Sequence, residues 1–150
     1  MWTAALASWI HVLSLAVGLP AIFFRWRALA GGPTDVGRAE RAHAADNVWG
    51  LAAMTWVGSG LWRALAGTDK PWDYYANHGM FWVKMGLFGL MFLLEIGPMV
   101  VLIQWRVQKA RGQPMTLEHG SWIALLSAVE VGVVLAMAFV ATLMARGIGY

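Results

Sequence analysis

The sequence predicts an all-α fold, a polytopic membrane protein built as an antiparallel bundle of four transmembrane helices. Three observations predict it. Of 150 residues, 59% are apolar and only 13% charged, against about a quarter charged in soluble domains. Four stretches, 2–24, 44–66, 80–104 and 120–145, reach the length of about 20 mostly apolar residues that the hydrocarbon core requires. The basic residues gather in alternate connections between those stretches. The length suits one domain over 1–150.

Each span has its own signals. The first has no formal charge, and His11 is its one ionisable group. The second is free of charge only between Asp46 and Arg63, which mark its ends. Pro33-Thr34-Asp35 is placed to open the helix that runs into it. The third carries Lys84 and Glu95, and the fourth carries Glu130. Pro114-Met115-Thr116 is placed to cap the fourth, with Glu118 in its first turn favoured by the helix dipole. Pro20 and Pro98 each remove a helical hydrogen bond, which neighbouring helices must compensate.

Orientation follows from charge. The first connection holds Arg25, Arg27, Arg38 and Arg41, and the third holds Arg106, Lys109 and Arg111. The other side holds Arg63, Lys70 and Arg146. Seven against three keeps both basic connections in the cytoplasm of a bacterial inner membrane, with both termini outside. Trp2, Trp62, Trp72 and Trp82 then fall at the outer interface, and Trp26, Trp49, Trp105 and Trp122 at the inner one, as indole rings prefer. The start Met1-Trp2-Thr3-Ala4 lacks the basic region of a cleaved signal peptide. The net charge of +3 is a topology signal near anionic headgroups, so no nucleic-acid partner is expected. The expected partners are the bilayer and further membrane subunits.

Packing in lipid depends on close backbone approach. Ala4, Ala7, His11, Ser14, Gly18 and Ala21 recur every three or four residues and form one stripe, which should face the bundle while Leu13, Val17 and Phe24 face outwards. Ala128, Gly132 and Ala136 give the fourth span a similar small-residue face. Gly86, Gly89 and Gly97 serve the third, and Gly58 and Gly60 the second.

An ionisable group deep in a bilayer needs a partner or water. At about 1.5 Å per residue, Glu95 and Glu130 both lie about 22 Å from the outer side, His11 about 14 Å and Lys84 about 6–8 Å. The inner pair would make a proton relay if the carboxyls meet; alternatively each is a protonated acid bonded across helices. Lys84 and Glu95 share a face but lie too far apart to pair, so Lys84 either joins the relay or snorkels outwards. His11 offers an axial ligand for haem b, and Met54 and Met137, at about 12–16 Å depth, are the available second ligands. Otherwise His11 is a packing histidine bonded to Ser14 or to a neighbouring helix. The chain has no cysteine, which excludes thiolate chemistry. No phosphate loop, dinucleotide fingerprint, catalytic triad or metal-ligand cluster stands in the sequence, so no catalytic residue is assigned.

Phe81-Trp82-Val83-Lys84, followed by Leu87-Phe88 and Ile96-Gly97-Pro98, resembles a family of small four-helix bacterial integral membrane proteins of unknown function. The ending Leu143-Met144-Ala145-Arg146-Gly147-Ile148-Gly149 and the first-helix His11 resemble that family too. A more distant similarity is to the haem-dependent membrane protoporphyrinogen oxidases, carried by His11 and by Val83-Lys84. That similarity implies haem at His11. Gly18-Leu19-Pro20 follows the histidine at a shorter spacing than in those enzymes, and their basic Pro-Arg-Leu turn is missing.

Three functions fit these readings. The first is a non-catalytic accessory or structural subunit of a larger bioenergetic membrane complex. The second is a haem-binding redox protein using His11, and the third a small proton-coupled carrier using Glu95 and Glu130.

Overall fold

A computed structural model describes residues 2–66 and 70–149. It is 86% helix, with no strand among the described residues. Four long helices, α1 (Trp2–Leu29), α2 (Val36–Leu65), α4 (Gly79–Ala110) and α5 (Gly120–Ala145), are joined by short connections, with a five-residue α3 (Trp72–Ala76) between α2 and α4.

α1, α4 and the stretch Leu117–Ala145 are long and apolar enough to cross a membrane. α2 falls short of that measure. Arg38, Glu40, Arg41, Asp46 and Arg63 lie within it, and Thr55, Gly58, Ser59 and Gly60 dilute its apolar run.

The helices start and stop for local reasons. The Asp35 carboxylate caps α2, accepting from the Arg38 backbone N–H at 2.8 Å, so the opening expected at Pro33-Thr34-Asp35 is found. The Arg38 guanidinium turns back to the end of α1, donating to Ala28 O at 2.9 Å and also to Ala30 O, where the last helical carbonyls lack partners. Thr116 does not cap α5. Its hydroxyl accepts from Gln108 Nε2 at 2.9 Å instead, and a 3-10 turn, Leu117–His119, precedes the helix. α1 and α4 run unbroken through Pro20 and Pro98.

α1 runs against α2, with His11 beside Ser59 at one end and Arg25 beside Asp46 at the other. α4 and α5 are also opposed: Gly97 sits under the Trp122 ring, and Gly79 N donates to Gly149 O at 2.9 Å. α5 packs on α1, and side-chain bonds tie α2 to α4. The α1 stripe faces inwards as expected: Ala7, Ser14, Gly18 and Ala21 are buried, while Leu13, Val17 and Phe24 are exposed.

Three expectations are corrected. The small-residue face of α5 points outwards at Gly132 and Ala136; Ile123, Ser127, Glu130, Val134 and Met137 form its buried face. Trp49 and Trp105 are core residues rather than interfacial anchors. Arg25 does not lie in a connection, because α1 continues to Leu29 and buries it completely.

Two apolar clusters form the core. One gathers Ala21, Ile22, Trp49, Trp56, Met91, Val133, Val134 and Met137; the other gathers Leu29, Ala39, Ala42, Leu102, Trp105 and Ile123. Along its own helix, each of Arg25, Asp46, Glu95 and Glu130 falls between residues of the two clusters. The fold therefore holds one polar layer between two apolar ones.

Candidate functional site

The polar layer centres on Arg25. Its Nη1 donates to Asp46 Oδ1 at 2.9 Å and to Glu95 Oε1 at 2.7 Å. Nη2 donates to Glu95 Oε2 at 2.8 Å and to Glu130 Oε2. Nε donates to Ser127 Oγ at 2.9 Å. Glu95 thus takes the guanidinium in the parallel two-bond geometry that favours arginine over lysine. Asp46 accepts a further bond from Arg106 Nη2 at 2.8 Å, so it bridges two guanidiniums. All four long helices contribute, which is what a buried arginine requires: charges removed from water must be paired and hydrogen-bonded.

This arrangement brings together Glu95 and Glu130, the two glutamates picked out in the sequence. It also contains groups that sequence reasoning missed. By sequence Arg25 reads as a loop arginine and Asp46 as a helix end, and nothing in the spacing marks Ser127 or Arg106 as partners. The signal for Arg25 lay in the stripe itself, since Arg25 follows Ala21 by four residues and continues the series from Ala7.

The second polar region lies towards the N-terminal end of α1. His11 Nδ1 stands 3.0 Å from Trp56 O and 3.1 Å from Ser59 Oγ. A carbonyl oxygen only accepts, so the ring hydrogen sits on Nδ1 and the neutral ring has its lone pair on Nε2. Ser59 spends its own hydroxyl hydrogen on Thr55 O at 2.7 Å. Gly60 makes room for the ring; a Cβ there would lie 3.1 Å from His11 Cε1. The histidine is therefore held by a neighbouring helix, while Ser14 bonds back to Ile10 O at 2.7 Å.

His11 lines a cavity of about 520 Å³. Trp56, Phe81, Phe88 and Met137 contribute apolar walls, and Arg63, Lys70 and Lys84 contribute positive charge. No acidic side chain stands among its described lining residues. Met137 is 2% exposed and shares the cavity with His11, whereas Met54 is 69% exposed and is not among the lining residues. Met54 is two positions from the inward-facing Trp56 and so lies on the opposite side of α2, away from His11. Lys84 lines the cavity and makes no bond to Glu95. The two polar regions are thus separate, with the apolar residues around Met91 and Val134 between them.

Groups of three or more His, Asp or Glu side chains able to hold a metal ion are absent among the described residues. No curated protein and no solved structure matches the chain. One family model matches residues 3–149, nearly the full length, and its description is a predicted membrane protein. The apolar helices and this match agree, and the chain belongs to the DUF2214 family of predicted membrane proteins.

Proposed function

We propose that the protein is a four-span integral protein of the bacterial inner membrane, with both termini outside the cytoplasm, that holds haem b in the cavity beside His11. Membership of a predicted membrane family supports the setting. Removing Arg25 from the loop arginines leaves the cytoplasmic connections still the more basic, with six basic residues against three. α2 counts as the fourth span because it runs the length of α1 in the opposite sense. Glu40, His43 and Asp46 on it bond to partners on α1 or α4.

The observation that carries the haem reading is the His11 hydrogen bond to Trp56 O at 3.0 Å. It fixes the tautomer and ring orientation in the way that second-shell carbonyls hold ligating histidines. It leaves Nε2, which has no hydrogen-bond partner among the described residues, as the ligating atom. Met137 is the second candidate ligand. Lys84 would pair with a propionate carboxylate, and Trp56, Phe81 and Phe88 would cover the ring faces. A bound haem b supplies one-electron chemistry whose potential depends on axial ligands and burial. The chain's part is to bind it, orient it and keep water from it.

The test is the absorption spectrum of protein purified in mild detergent from haem-replete cells. A Soret band is expected, lost in His11→Ala and altered in Met137→Ala. Wild-type protein without that band would overturn the reading. The accessory-subunit reading draws on the exposed apolar faces of the long helices, such as Phe24, Leu51, Leu93 and Phe139. It expects a stoichiometric membrane partner in gentle extracts, and isolation of the chain alone would count against it.

A further inference from the structure

The polar layer does not balance when all its groups are ionised. Arg25 and Arg106 bring two positive charges; Asp46, Glu95 and Glu130 bring three negative ones. Glu95 has both oxygens on Arg25, and Asp46 has one on each arginine. Those two are paired as carboxylates. Glu130 differs. Only its Oε2 meets Arg25, while Oε1 is buried and has no hydrogen-bond partner. Its side chain is 0% exposed. A buried oxygen without a partner is costly as an acceptor.

Arg25 Nη2 bonds one oxygen of Glu95 and one of Glu130, so a single nitrogen holds the two carboxyls side by side. Two carboxyls hydrogen-bond to each other only through a proton. We propose that Glu130 is a proton-binding site, the uncharged acid of the cluster, with its hydrogen on Oε1 donated to Glu95. One proton then brings the layer to two positive and two negative charges and gives the orphaned oxygen its partner.

The site has a route outwards. Glu95 is 21% and Asp46 17% exposed at their side chains, and Arg106 is 40% exposed. A proton leaving Glu130 passes to the Glu95 carboxylate, the more exposed of the two groups. The groups facing the site are Arg25 and Asp46, Glu95 and Arg106, and Ser127 beside Glu130 itself; His43 stands near Asp46, its Nε2 on Leu102 O at 3.2 Å. The inference is independent of the haem reading, since no group of the His11 cavity takes part.

The infrared spectrum of the purified protein in detergent tests it. At neutral pH the wild type should show the carbonyl band of a protonated carboxylic acid. That band should shift in D2O and respond to isotopic labelling of glutamate. It should disappear in Glu130→Gln, the isostere of the acid, and persist in Glu40→Gln. A wild-type spectrum without the band would overturn the proposal, and needs no variant to fold. So would a band that persists in Glu130→Gln, or one that does not shift in D2O. Loss of the band when sodium replaces choline at constant ionic strength would overturn it in favour of a cation site.

Discussion

Arg25 on α1 and Glu130 on α5 are bonded to each other with neither side chain exposed, across 105 positions of sequence. That contact, with those to Asp46 and Glu95, joins all four long helices at one level of the fold. Helices in lipid gain little from apolar burial against each other. A single guanidinium serving four helices is therefore a main source of specificity in how they pack.

The first prediction concerns that guanidinium. Arg25→Met leaves buried carboxyls without their cation, a change that costs about 3–5 kcal/mol. The thermal unfolding midpoint in detergent should fall steeply. Arg25→Lys keeps the charge but loses the fork that meets Glu95 through both oxygens, so it should fall between the two. A midpoint for Arg25→Met equal to wild type would remove the cluster as a structural element.

The ion pair between Glu40 and Lys109, 2.6 Å long at the exposed ends of α2 and α4, behaves differently. Lys109 lowers the pKa of the Glu40 carboxyl below its usual value by hydrogen bond and charge. A lowered carboxyl pKa contributes stability above the unfolded-state value, and the contribution is lost as pH falls through the folded-state value. The pair is open to water and screened. Lys109→Met should leave the midpoint at neutral pH nearly unchanged, as a pH series of thermal melts will show.

Helix contacts give the third test. A Cβ at Gly18 would lie 2.9 Å from the buried Trp49 ring, whereas one at Gly132 would meet nothing within 4 Å. Gly18→Val should cost about 1–3 kcal/mol through overpacking, and Gly132→Val should cost far less. Melts of the two variants in the same detergent make the comparison.

Gly60 gives the fourth. An added methyl there presses on His11 Cε1 at 3.1 Å, while Gly58 faces open space. If His11 ligates haem, Gly60→Ala should shift or weaken the Soret band and Gly58→Ala should leave it in place. Identical spectra for both would argue against a ligand at His11.

Much of this was legible in the sequence, because membrane helices announce themselves by length and composition. The α1 stripe was readable from spacing alone, and so was the Asp35 cap. Glu95 and Glu130 stood out because charges deep in apolar runs are rare. Arg25 did not, because the same residue type at a helix end serves as a topology signal; only the continuation of helix to Leu29 separates the two roles. Asp46 was hidden likewise, since a charge at the edge of an apolar run reads as its boundary. The outward small-residue face of α5 shows the converse. Ala128, Gly132 and Ala136 have the spacing of a packing seam, but Ser127 and Glu130 must reach Arg25, and that requirement sets the rotation of α5.

The claim on which the rest depends is that α2 crosses the bilayer with the other three long helices. The chain has no cysteine, so single cysteines can be placed at the exposed positions Arg41, Asp73 and Gln113 and labelled in intact cells with a membrane-impermeant maleimide. Labelling at Asp73→Cys alone, with Arg41→Cys and Gln113→Cys reacting only after the membrane is opened, is the predicted result. Labelling of Arg41→Cys and Asp73→Cys from the same side would contradict it.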